Sequence, residues 1–213
     1  MTKGRLLILG ASGHGKVAAD CALAVGLWSE IVFFDDRWPT LKDCGPWPVV
    51  GTGETLMIDS RPGDQAFVAI GHAETRINRL QQMISAGIEI ATIVHPSAIV
   101  SAGAKLGAGC LVVAGAVVNI QTLIGLGCIV NTGATVDHDC ILADGVHICP
   151  GVNLAGDVQV GRETWVGIGS AVCQGLRIGR GAMIGAGAVV VEDVADLQTV
   201  VGVPARPLMM KKS

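Results

Sequence analysis

From Val94 onward, every sixth residue is aliphatic: Val94, Val100, Leu106, Val112, Val118, Ile124, Val130, Val136, Leu142, Ile148, Leu154, Val160, Val166, Val172, Ile178, Ile184 and Val190. The residue two places before is usually small, as at Ala104, Cys110, Ala116, Thr122, Cys128, Ala134 and Cys140, and Gly often follows, as at Gly107, Gly125, Gly161, Gly167, Gly179 and Gly185. A period of six fits neither the 3.6 of a helix nor the 2 of a long strand. It predicts a solenoid in which each hexapeptide is a short strand plus a turn, and three hexapeptides close one triangular coil. Coils would stack at about 4.8 Å, with the aliphatic residue inward, the small residue near the corner and Gly supplying unusual backbone angles.

Before Val94 the pattern changes. Residues 5–10 (Arg-Leu-Leu-Ile-Leu-Gly) read as a buried parallel strand, and Val17–Val25 as a helix ended by Gly26. Ile31–Phe34 and Ala66–Ile70 read as further strands, a helix runs from after Gly71 to Ala86, and Ile88–Val94 reads as the last strand before the solenoid. Strand–helix–strand order predicts a small Rossmann-like α/β domain over 1–93, followed by the solenoid domain with a C-terminal tail over 94–213.

Composition agrees with a narrow interior of small aliphatic side chains: 50% of residues are hydrophobic, 30 are Gly, 3 are Phe and none is Tyr. A net charge of −3 gives no attraction to nucleic acid or acidic membranes, and no apolar run is long enough for a membrane span. The apolar stretch after Lys3 and Arg5 is too short for a signal peptide and leads into a Gly-rich turn. Seven Cys without a C-x-x-C pair predict free thiols in a reducing cytoplasm. No metal is expected.

Two stretches carry chemistry. Gly10-Ala-Ser-Gly13-His14-Gly15-Lys16 follows the first strand, where backbone N–H groups and a helix N-terminus can face a phosphate. Asp35, 20 residues beyond Gly15, stands where an acidic group could meet a ribose hydroxyl, and Asp36 follows it. The domain is too short for a full dinucleotide fold, which argues against an NAD oxidoreductase. Trp38 would stack on a base or sugar, or pack its own loop. In the solenoid, His138 is flanked by Asp137 and Asp139, and a carboxylate beside an imidazole can fix its tautomer and support the imidazolium. Cys110, Cys128 and Cys140 occupy the small corner position and read as packing residues.

The hexapeptide repeat resembles that of the acyltransferases built on a left-handed parallel β-helix; the left hand is implied by that resemblance. Together with Gly-Ala-Ser-Gly-His-Gly at 10–15, Asp35-Asp36, and Ala-Ile-Gly at 69–71 with Arg76, the chain resembles the sialic-acid O-acetyltransferase and bacillosamine N-acetyltransferase group. One departure is His72, where these relatives often carry Asn. The resemblance implies an acetyl-CoA-dependent N-acetyltransferase acting on a nucleotide-linked amino sugar for surface glycan, a 4-amino-4,6-dideoxy hexose being the expected type. It implies a cytoplasmic homotrimer with active sites between subunits. His138 would be the general base, with Asp139 orienting it. Acetyl-CoA would be held by His147, Gly156, Gly167, Gly169, Gly185, Gly187 and Arg206, with His147 acting at its own or a neighbouring chain's site. Gly156 would offer its N–H to the acetyl carbonyl, and Arg177 and Arg180 are further phosphate candidates. Gly10, Gly13, His14, Gly15, Lys16, Asp35, Asp36, Gly71, Arg76 and Asn131 would bind the nucleotide sugar. The rival readings are an O-acetyltransferase of sialic acid or a related sugar, and a non-catalytic nucleotide-sugar-binding protein.

Overall fold

The computed structural model describes residues 4–208; Lys3 and the two extreme ends of the expected domains lie outside them. The N-terminal part is a five-stranded sheet ordered β3-β4-β2-β1-β5, formed by β1 (Arg5–Leu9), β2 (Glu30–Phe34), β3 (Asp43–Cys44), β4 (Trp47–Gly51) and β5 (Gln65–Val68). β1 pairs in parallel with β2 and β5, while β3 is antiparallel to β4. The strands read as apolar runs because both faces are covered. α1 (Gly13–Val25) lies on one face, and α2 (Gly53–Asp59) and α3 (Ala73–Ser85) on the other.

α1 begins earlier than the sequence reading placed it, so Gly13, His14, Gly15 and Lys16 form its first turn rather than a preceding loop. It ends as expected at Gly26, whose φ of 67° is left-handed. The β3–β4 hairpin and α2 were not expected. α2 is started by Thr52 and Thr55, which cap each other's backbone N–H groups. The strand expected over Ile88–Val94 is reduced to a single bridge between Ala66 and Ile90, because the chain must leave the sheet there to enter the first coil at Ile93–Val94.

The remainder is a triangular prism of parallel two-residue strands with three faces. The first face stacks the strands beginning at Ile93, Leu111, Ile129, His147, Trp165, Met183 and Thr199, and the Arg206–Pro207 strand closes it in antiparallel fashion. The second stacks those at Ile99, Val117, Thr135, Asn153, Ala171 and Val189, and the third those at Lys105, Leu123, Ile141, Gln159 and Arg177. Partners in each ladder are 18 residues apart, one coil, as Ile129↔His147 and Thr135↔Asn153 show. The hexad positions form the core; only Val94, Val100 and Leu106, on the first coil, are partly open.

The corner residues explain why Cys and Thr alternate with Ala. Cys110, Cys128 and Cys140 donate S–H to the carbonyls of Gly125, Ala143 and Ala155, while Thr122 and Thr164 donate O–H to those of Asp137 and Gly179. Each acceptor is 15 residues ahead, on the next coil. Burial pushes the Cys140 thiol up, so it is a packing group and no nucleophile.

The two parts share a packed junction. Ala18, Ala19 and Ala22 of α1 leave room for Ile93 and Leu111 of the first face. α3 presses on the corner between third and first faces: a Cβ on Gly109 or Gly127 would fall 2.8 or 2.6 Å from Leu80, and one on Gly145 3.1 Å from Ile77. Small residues in this column are therefore required by the approach of α3.

Candidate active site

His138 lies at the corner between second and third faces, the vertex opposite the first face. Asp137 accepts from the His138 backbone N–H at 2.8 Å and from Asn119 one coil away at 2.8 Å, which fixes the turn. Asp139 has φ 61°, a left-handed position that Gln121 and Asp157 also hold in the neighbouring coils. Asp tolerates this conformation, and it brings the Asp139 carboxylate 2.7 Å from His138 Nδ1. With Nδ1 donating to Asp139, Nε2 presents its lone pair outward, and 55% of the side chain is exposed. The Asp139 hydrogen bond, then the charge of Asp137, hold the imidazole pKa above its ordinary value.

Gly156 sits directly beneath this ring. A Cβ there would fall 2.5 Å from His138 Cε1 and 2.6 Å from Nε2. Among the described residues its N–H has no partner in the chain, while the neighbouring Asp157 N–H donates to the His138 carbonyl at 2.9 Å. An imidazole with an outward lone pair and a free backbone donor thus share one corner, a pairing that acyl transfer could use.

A second constellation gathers at the carboxyl ends of β1, β2 and β5, the usual ligand edge of a parallel sheet. Gly10 and Gly15 are required by packing: a Cβ on Gly10 would meet the Ala69 carbonyl at 2.8 Å, and one on Gly15 the Gly10 carbonyl at 2.2 Å. Gly13 faces open space at the start of α1, where Ser12 makes no side-chain cap, leaving the N–H groups of Gly13, His14 and Gly15 free for an anion, while that of Lys16 donates to the Ser12 carbonyl. Lys16 is exposed one turn on.

Two expectations for this region are corrected. Asp35 is not offered to a ribose. Its oxygens accept from the Ala11 N–H, the Arg37 N–H and the Arg37 guanidinium, which fill the sites a carboxylate has and drive its pKa down to about 2. It builds the turn, and the exposed Asp36 has one oxygen free after the other accepts from Gly53 N–H at 3.1 Å. Arg76 is not a ligand contact. It is fully buried, and its guanidinium donates to the carbonyls of Ile70, Gly71, Gly127 and Gly145 at 2.7–2.8 Å.

Gly71 and His72 open the loop into α3. His72 Nδ1 accepts from the Thr75 N–H at 3.4 Å, so His replaces the usual Asn as an N-cap acceptor. Trp38 is 40% exposed beside Asp36, Arg37, Thr40 and Leu41.

His147 departs most from its expected place. It is 6% exposed, its ring centroid 4.2 Å from that of Trp165 at an interplanar angle of 59° and 6.1 Å from that of His14 in the same chain. Its Nε2 is 3.2 Å from Asn131 Nδ2. His147 and Asn131 therefore lie at the junction with the first turn of α1. Burial first, then neighbouring positive charge, holds His14 at about 4 and His147 at about 3, so both are neutral. Beside them opens a cleft of about 560 Å³ lined by Gly71, His72, Glu74, Gly145, Trp165 and Met183 among others. Trp165 was missed; stepping one coil, 18 residues, from His147 would have found it.

Along the corner between first and second faces, Gly167 and Gly185 are packed closely, whereas Gly169 and Gly187, at φ 66° and 67°, face open space. A groove of about 320 Å³ runs there past Cys149, Pro150, Trp165 and Ile168. Arg206 is exposed, 3.6 Å from Glu192. Arg177 and Arg180 line a separate hollow of about 640 Å³ on the third face, with Asp193 and Asp196, away from His138 and the first turn of α1.

Residues 5–83 match the family described as the PglD N-terminal domain. The whole chain is similar to the acetyltransferase domain of PglB from Neisseria gonorrhoeae FA1090, solved in complex with acetyl coenzyme A: 42% identity over 97% of this chain and 100% of that one, TM-score 0.93. It is similar to PerB from Caulobacter crescentus, solved with CoA and GDP-perosamine: 37% identity, 97% and 98% covered, TM-score 0.90. WeeI from Acinetobacter baumannii AYE shares the fold at 24% identity, with 97% and 100% covered and a TM-score of 0.88.

Proposed function

This chain belongs to the hexapeptide-repeat sugar N-acetyltransferases, and we propose that His138 is the base with which it acetylates its substrate. The enzyme is an acetyl-CoA-dependent N-acetyltransferase acting on a nucleotide-linked amino sugar, on a left-handed parallel β-helix carrying a nucleotide-binding α/β domain over 1–93. The observation that carries the assignment of His138 is its contact pair: Asp139 on Nδ1 and Gly156 beneath Nε2.

In this mechanism the sugar amine attacks the thioester carbonyl carbon. His138 Nε2 takes the amine proton, and Asp139 accepts from Nδ1–H and steadies the imidazolium. The carbonyl oxygen gains negative charge and accepts from Gly156 N–H. Collapse breaks the carbon–sulfur bond, the imidazolium returns its proton to the departing thiolate, and N-acetyl sugar and CoA leave. Pantetheine lies along the strip of Gly169 and Gly187, with Arg206 near the phosphates. The diphosphate meets the first turn of α1, Asp36 meets the ribose, and the sugar extends past His14 toward the Trp165 cleft.

The site is completed between copies of the chain. The α/β domain packs on the first face at Ile93, Leu111 and His147, and His138 occupies the vertex opposite that face. A sugar held by one chain therefore reaches the His138 of another, which fits a homotrimer of prisms. Mixed assemblies of H138A chains with chains blocked at Gly13 (G13F) should recover activity that neither parent has; none would be recovered if each chain were self-sufficient.

The reaction is tested by free-thiol release from acetyl-CoA over a panel of UDP- and GDP-linked 4-amino-4,6-dideoxy hexoses beside free sialic acid. Turnover is expected with a nucleotide-linked amine. Turnover with sialic acid alone would replace N-acetylation by O-acetylation, and binding without thiol release would mark a non-catalytic protein.

A further inference from the structure

The two lips of the Trp165 cleft come from different parts of the fold. Gly71 is contributed by the α/β domain, at the entry to α3, and Gly145 by a coil turn of the prism. Both carbonyls accept from the same guanidinium: Arg76 Nη1 reaches Gly71 at 2.8 Å and Arg76 Nη2 reaches Gly145 at 2.8 Å. The remaining bonds repeat the division, with Nη1 to the Ile70 carbonyl at 2.7 Å and Nε to the Gly127 carbonyl, one coil below Gly145, at 2.8 Å. Among the described residues no carboxylate pairs with Arg76, and the side chain is fully buried.

A buried cation without an anion is an expensive way to fill space. Apolar side chains of similar volume stabilise a core equally well or better, and Ile77 and Leu80 do so at the same junction. What a planar fork supplies, and an apolar side chain does not, is directed bonding to several acceptors at fixed angles. Here those acceptors are a loop carbonyl on one side and two coil carbonyls on the other.

We propose that Arg76 is a positioning residue for the transfer reaction: it sets the spacing between Gly71 and Gly145, and so the width of the cleft that receives the sugar. This rests on the reading that the cleft beside His14 and His147 takes the sugar end of the nucleotide-linked substrate. The residue touches no substrate. It acts through the two lips, and through the loop that carries His72 and begins α3. A shift of one lip misplaces the sugar while leaving the groove at Gly167 and Gly185 and the His138 corner as they are.

The test is steady-state kinetics of the full chain carrying R76K or R76M, with L80A as a control that weakens the same junction without touching either lip. Arg76→Met should raise KM for the nucleotide amino sugar by about 10–100-fold, leave KM for acetyl-CoA unchanged and lower kcat far less. Arg76→Lys, with fewer donors and no fork, should recover part of the loss, and L80A should lower thermal stability without the KM split. An unchanged sugar KM in folded R76M would overturn the proposal. So would a parallel rise of both KM values with a matching fall in kcat and stability, or failure of both Arg76 variants to fold, since a folding role would then suffice. Failure of the enzymatic reading is distinguishable: the wild type itself would release no thiol with any panel member.

Discussion

The imidazole of His138 rests on Gly156 so closely that a methyl group on the Gly156 α-carbon would stand 2.6 Å from Nε2. One coil of the prism thus supplies the base, and the next supplies the flat, unpartnered backbone against which it works. Gly156→Ala should push the ring off its position and obstruct the donor N–H. The expected result is a fall in kcat of about 10²–10³-fold, with the β-sheet circular dichroism retained. Wild-type kcat in this variant would separate Gly156 from the chemistry.

The base must be neutral to accept a proton. Because the Asp139 hydrogen bond and the charge on Asp137 raise the His138 pKa, the proton is held to a higher pH than on a free imidazole. Activity should therefore climb with pH through an acid limb centred above 6.5, the ordinary value. Asp139→Asn removes the largest cause, so the limb should move down while kcat on the plateau falls. A pH–rate profile unmoved by D139N would show that Asp139 does not act on this imidazole.

His14 and His147 respond to pH in the opposite sense. Their folded values of about 4 and about 3 lie below the unfolded 6.5, so between these limits the unfolded chain binds protons that the native chain does not. Their contribution is fully present above 6.5 and is lost as pH falls toward 4 and then 3. Unfolding free energy at fixed protein concentration should fall across this window with a slope of up to about 1.4 kcal/mol per pH unit for each group, and His147→Asn should make the slope shallower. A wild-type denaturation midpoint flat from pH 6.5 to 4 would contradict the buried, neutral pair.

The prism was legible because a hexad repeat is written into every coil: inward aliphatics cannot be exchanged without opening the core, so the period survives in plain sequence. His138 and Asp139 were legible for a similar reason, since adjacent residues on a corner must lie close together. The junction was not. Arg76 stands 69 residues from Gly145 and bonds only to carbonyls, which leave no trace in residue type. Asp35 could be read as ribose-binding because the spacing is right; only the structure shows Arg37 and the Ala11 N–H filling its oxygens. His147 was expected at the coenzyme strip and lies against His14 of the α/β domain, because nothing in the hexad pattern says on which face that domain packs.

The most direct test of the account is single-turnover acetyl transfer by His138→Ala at saturating acetyl-CoA and nucleotide amino sugar. The account predicts a loss of about 10²–10⁴-fold in the transfer step, with both substrates still bound at near-wild-type affinity. Transfer at the wild-type rate in that variant would contradict it.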